Sequence, residues 1–180
     1  QMIGYQNGIK ALEYLVDNLP GVPSQAGNRA DPNRLLYSGH SMGGHGCLEY
    51  LTHHGDRALG AVPAAGWISM ELYTFDRLRT GDGWIDPTLR GVLYSALGEW
   101  DTDLYVSNAV GIPLLMRLGG NDTSVPPWHL RRFARLVDQA STAPQTVDIS
   151  EVAGEGHWWD TIMDDDVSAP FYDAALQQDG

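Results

Sequence analysis

The stretch Asn33-Arg34-Leu35-Leu36-Tyr37-Ser38-Gly39-His40-Ser41-Met42-Gly43-Gly44-His45-Gly46 decides how the rest of the chain is read. Leu35-Leu36-Tyr37 has the length and residue types of a buried strand. It runs directly into Gly39-His40-Ser41-Met42-Gly43, and an apolar helical pattern (Met42, Cys47, Leu48, Leu51) follows. Gly-x-Ser-x-Gly between a strand and a helix is the setting of a serine nucleophile on a tight turn. Such a turn holds the serine in an unfavourable backbone conformation, so its neighbours two residues away must lack bulk. Gly39 and Gly43 are expected to supply that room, with Gly44 and Gly46 letting the helix pack closely on adjoining strands. The first amides of the helix, Met42 N–H among them, favour negative charge developing beside Ser41. Chance alone can produce the five-residue pattern in a chain with 21 glycines in 180 residues, so its partners matter.

Outward from this stretch the chain has the proportions of one soluble domain, with 43% hydrophobic and 19% charged residues. A net charge of −12 argues against nucleic acid or an anionic membrane as a partner, because phosphates reward Lys and Arg. Cys47, the single cysteine, permits no intrachain disulfide and reads as a small buried residue. No stretch approaches the ~18 apolar residues that a membrane span needs. The histidines match no zinc-site spacing, and neither a metal nor another cofactor is expected.

Before the central stretch, Tyr5, Ile9, Leu12, Val16 and Leu19 recur at helical spacing until Pro20-Gly21. After it, strands are expected at Leu59 to Ala65, Pro113 to Gly119 and Thr146 to Val152. In the last of these, Val147 and Ile149 face one way and Asp148 and Ser150 the other, as on a sheet edge. Ser124, Pro126 and Pro127 open a helix with the apolar face Leu130, Phe133, Ala134 and Val137, and a final helix spans about Ala169 to Leu176. Strands alternating with helices predict a three-layer α/β/α domain over residues 1–180 with a mostly parallel sheet. An excursion of short helices and loops interrupts it at about residues 67–105. Trp67 and Trp84 in that excursion, with Trp158, are candidates for a substrate pocket; packing beneath the excursion is the alternative role.

Serine nucleophiles need a base to take the hydroxyl proton and a carboxylate to orient that base. Asp122 and His157 stand, like Ser41, just past predicted strands, where parallel sheets gather their chemistry. Asp101 and Asp103 follow no strand, and the Asp164-Asp165-Asp166 run reads as solvated surface. His40, His45, His53, His54 and His129 lack the position of His157. The order Ser41, Asp122, His157 along the chain is the order used by α/β-hydrolases.

Asp31-Pro32-Asn33-Arg34, Gly39-His40-Ser41-Met42-Gly43-Gly44, Gly120-Asn121-Asp122, Val125-Pro126-Pro127-Trp128-His129 and Gly156-His157-Trp158 together resemble the catalytic domain of the prolyl oligopeptidase family of serine peptidases. The resemblance runs from about Gln1 to Asp160 and implies Ser41 as nucleophile, Asp122 as acid and His157 as base. It also implies a peptide or small ester as substrate. Two departures stand out. Post-proline cutters of the family carry an arginine two residues after the acid, where this chain has Ser124. The resemblance also begins well inside the family's domain, so strands flanking the nucleophile strand, and the loop giving a second oxyanion donor, are expected on a missing N-terminal segment of the same protein. The expected activity is serine hydrolysis through an acyl-enzyme. The alternatives are an esterase or acyltransferase with the same three residues, and a non-catalytic hydrolase-like binding or scaffold domain.

Overall fold

The computed structural model describes residues 2–18, 31–74, 85–143 and 147–177. The chain divides into two compact units, residues 1–35 and 36–180. In the first, helix α1 (Met2–Asn18) places Ile9, Leu12, Leu15 and Val16 on its less exposed face and Lys10, Glu13 and Asp17 on the exposed one.

The second unit is built on a four-stranded sheet in the order β1 (Leu35–His40), β2 (Ala58–Ala64), β3 (Leu114–Gly119), β4 (Val147–Val152). β3 pairs in parallel with both neighbours, with Ala61 opposite Leu114 and Gly119 opposite Val152. All of β3 and most of β2 are buried, which explains their apolar runs, interrupted in β3 by Arg117: a strand covered on both faces has no polar side to show. Helices α2 (Met42–His53), α3 (Met70–Tyr73), α4 (Pro87–Gly98), α5 (Trp128–Ala140) and α6 (Ser168–Leu176) complete a three-layer α/β/α arrangement, as the alternating pattern predicts. Leu130, Phe133, Ala134 and Val137 form the buried face of α5. On α2, Leu48 and Leu51 are fully buried beside Cys47, whose thiol is pushed up by that burial. Gly60 on β2 lets Phe171 of α6 come close: a Cβ there would lie 3.2 Å from the ring.

Two details depart from what polarity alone suggests. On β4 the two faces alternate as expected, Val147 and Ile149 on one and Asp148 and Ser150 on the other, but cover does not follow polarity: Ile149 is 47% exposed while Ser150 is partly covered. The reason lies on β3, where fully buried Arg117 donates from a terminal guanidinium nitrogen to Ser150 Oγ at 2.5 Å. Nor is the Asp164-Asp165-Asp166 run simply solvated surface. Asp165 pairs with Arg117 and accepts from the amides of Val167 and Ser168 at 3.0 and 2.9 Å, where α6 begins. Burial pushes the Asp165 carboxyl up, but the Ser168 amide and hydroxyl, the Val167 amide and Arg117 outweigh it and hold it below its usual range.

Candidate active site

β1 runs straight into Ser41, which sits at φ 58° and ψ −115°, a backbone conformation rare for any residue with a side chain. Hydrogen bonds on both sides hold it there. Ser41 N–H donates to the Ala64 carbonyl at 2.9 Å, and the Ser41 carbonyl accepts from His45 N–H at 3.0 Å. The four nearby glycines do different things. A Cβ on Gly39 would lie 2.3 Å from the Gly43 carbonyl oxygen, and one on Gly44 would lie 2.4 Å from that of Ala64. A Cβ on Gly43 or Gly46 would meet nothing within 4 Å. Room is therefore needed at Gly39 and Gly44, whereas Gly43 contributes the backbone that fills the space beside Gly39. Met42 opens α2, so its amide is one of the first-turn N–H groups with no carbonyl partner inside the helix.

Asp122 lies past the end of β3, its side chain 1% exposed. Its Oδ1 accepts from the amides of Ser124 and Val125 at 2.8 and 2.9 Å, which fixes the carboxylate and leaves Oδ2 for another partner. That partner is His157, whose Nδ1 is 2.7 Å from Asp122 Oδ2. His157 Nε2 is in turn 2.8 Å from Ser41 Oγ. A carboxylate only accepts, so Nδ1 carries the hydrogen and Nε2 is left to accept from the serine hydroxyl.

Backbone contacts bring these loops together. A Cβ on Gly119 would lie 2.1 Å from the Gly156 carbonyl, so only glycine lets the end of β3 touch the loop that leads to His157. Gly120 N–H donates to the Val152 carbonyl at 2.9 Å and Asn121 N–H to that of Glu155 at 2.8 Å. Beyond His157, Arg117 donates to the Ile162 carbonyl at 3.1 Å and lies 5.7 Å from the Trp159 ring centre. Sequence reasoning missed Arg117, although a lone charge in an apolar strand run was a visible signal of a buried partner.

The remaining candidates are spread out. Trp67 is 5% exposed, stacked between Tyr73 at 4.4 Å and His45 at 4.9 Å. Trp84 lies outside the described residues. Trp158 is 58% exposed, its ring edge-on to His40 at 5.0 Å, and Met42 is 73% exposed beside Ser41. A groove of about 720 Å³ between β4 and α6, lined by Leu115, Ile149, Val167 and Phe171, includes none of Ser41, Asp122 or His157. His129 is buried and its pKa is pushed down to about 4 by that burial, with Arg132 and His45 adding to the effect. Among the described residues no His, Cys, Asp and Glu cluster could hold a metal ion, and no helix is long and apolar enough to cross a membrane.

A mostly parallel sheet under flanking helices, with a serine on a strained turn between a strand and a helix, defines the α/β-hydrolase fold. Within it the assignment is narrower: the family model for the prolyl oligopeptidase family matches residues 9–169, and the chain belongs to that family. An uncharacterized secreted protein of Arthroderma benhamiae is 30% identical over 143 residues, which are 79% of this chain and 15% of that protein. An acylaminoacyl peptidase of Pyrococcus horikoshii superposes with a TM-score of 0.64 at 18% identity, covering 96% of this chain and 25% of its own. An esterase of Pyrococcus furiosus gives 0.61 at 15% identity, covering 98% and 62%. The two structural likenesses concern the fold. The chain spans only a small part of the fungal relative and of the peptidase.

Proposed function

We propose that the chain is the catalytic part of a serine hydrolase that cleaves a peptide or ester bond through an acyl-enzyme. Ser41 Oγ attacks the substrate carbonyl while its proton passes to His157 Nε2. Asp122 holds His157 in the tautomer that can accept this proton and stabilises the imidazolium that forms. The carbonyl oxygen becomes an oxyanion facing the Met42 N–H at the start of α2. Collapse of the tetrahedral species breaks the bond to the leaving amine or alcohol, which takes the proton from His157. Water, deprotonated by the same histidine, then releases the acid and restores Ser41.

The observation carrying this reading is the unbroken hydrogen-bond chain from Asp122 Oδ2 through His157 to Ser41 Oγ, at 2.7 and 2.8 Å. Family membership favours a peptidase-like substrate, and exposed Trp158 and Met42 offer apolar surface to it. Trp67, buried between the rings of His45 and Tyr73, packs rather than lines a pocket, and Trp84 remains a candidate for it. Ser124, where the family's post-proline cutters carry an arginine, argues against that specificity. Hydrolysis of a panel of aminoacyl and peptidyl anilides and of short acyl esters tests the proposal. Turnover that vanishes in Ser41→Ala and His157→Ala supports it, and a preference for the anilides supports the peptidase reading. Equal turnover in the parent and Ser41→Ala would refute the mechanism, and a wholly inert parent would favour a binding or scaffold role.

A further inference from the structure

His157 belongs to no helix or strand; residues 153–167 form an irregular loop, and the position of the imidazole depends on what holds that backbone. Contacts with the loop after β3 hold residues up to 156, and Arg117 holds the carbonyls of 161 and 162. Between these two anchors, the carbonyl of His157 itself takes the ring of His40, with His40 Nε2 at 2.7 Å. A carbonyl only accepts, so that nitrogen carries a hydrogen. The His40 ring also lies 4.8 Å from the His157 ring and edge-on to Trp158 at 5.0 Å. His40 is the last residue of β1 and the immediate neighbour of Ser41, so a rigid strand end ties the base's loop to the nucleophile's own turn.

We propose that His40 is a positioning residue of the site: its ring N–H anchors the His157 main chain so that His157 Nε2 stays aligned on Ser41 Oγ. The proposal rests on His157 acting as the base. It gives the residue before the nucleophile a task that the glycine spacing of the turn does not require. A loop carbonyl released from this anchor lets the imidazole drift, and a drift of about 1 Å at a reacting pair costs on the order of a hundredfold in rate.

His40→Phe keeps a ring against Trp158 but removes the donor; His40→Gln offers an amide N–H of similar reach. Relative to the parent, His40→Phe should lower kcat by about tenfold to a hundredfold, with KM changed less than about twofold on the same scale of effects. His40→Gln should recover most of the loss, and both variants should melt close to the parent. A second readout is independent of turnover. The proton on His157 Nδ1, bonded to Asp122, is followed by proton NMR, assigned by its loss in His157→Ala. It should persist in the parent and His40→Gln and broaden or vanish in His40→Phe. Unchanged kcat and an unchanged Nδ1 proton in His40→Phe would overturn the proposal, as would failure of His40→Gln to recover either. An inert parent whose Nδ1 proton still responds to His40→Phe would sink the hydrolase reading and leave the anchoring intact.

Discussion

Substituting alanine for glycine around Ser41 separates close packing from mere flexibility. At Gly39 the new methyl would lie 2.3 Å from the Gly43 carbonyl oxygen, 2.5 Å from its carbon and 3.0 Å from its Cα, all of them backbone atoms. Ordinary contact begins near 3.4 Å, so the turn between β1 and α2 must open by about 1 Å. Overpacking of this kind costs about 1–3 kcal/mol, which in a chain of this size lowers the melting temperature by about 2–4 °C per kcal/mol. The same opening moves Ser41 Oγ off the 2.8 Å contact with His157, and a displacement of about 1 Å predicts a loss on the order of a hundredfold in rate. At Gly43 the methyl would meet nothing within 4 Å. Gly43 lies in the first turn of α2, where alanine gains up to about 1 kcal/mol in helix propensity. Thermal melts and the rate of inactivation by a small fluorophosphonate, measured on Gly39→Ala and Gly43→Ala, read both effects. Gly39→Ala should be destabilised and slow; Gly43→Ala should melt at or above the parent. Equal melts for the two variants would refute the packing argument, because the motif would then need both glycines for the same reason.

Three further outcomes follow from the geometry. Asp122→Asn retains an oxygen for the Ser124 and Val125 amides but presents an N–H to His157 Nδ1, which forces the other tautomer; turnover should fall by about 10⁴ while the melt barely moves. Asp165→Ala leaves the fully buried Arg117 without its counter-charge and should cost about 3–5 kcal/mol in urea unfolding. For His129 the folded pKa is pushed down to about 4, below the usual value near 6.5. Between these values the unfolded chain binds a proton that the folded chain refuses, so stability is full above about 6.5 and declines as pH falls toward 4. His129→Phe should flatten that slope in urea midpoints recorded across the interval.

The turn around Ser41 was readable because its requirement is local: a strand, a helix and small residues at fixed offsets. Asp122 and His157 were readable because a parallel sheet gathers the ends of its strands, so residues far apart in sequence arrive in one place. What stayed hidden depends on neighbours that spacing does not reveal. Gly39 and Gly43 look equivalent in the motif, yet the backbone of one fills the space beside the other. The cover over Ser150 on β4 comes from Arg117 on the adjacent strand, and Asp165 was misread because its partner lies 48 residues away. The bond from His40 to the His157 carbonyl joins residues 117 apart, and no local pattern marks it.

Labelling with a fluorophosphonate probe, followed by mass mapping of the adduct in the parent, Ser41→Ala and His157→Ala, shows whether Ser41 is a nucleophile activated by His157. An adduct on Ser41 is expected, with none in Ser41→Ala and much slower labelling in His157→Ala. An unlabelled parent, an adduct mapped to another residue, or labelling that persists in Ser41→Ala would contradict that role.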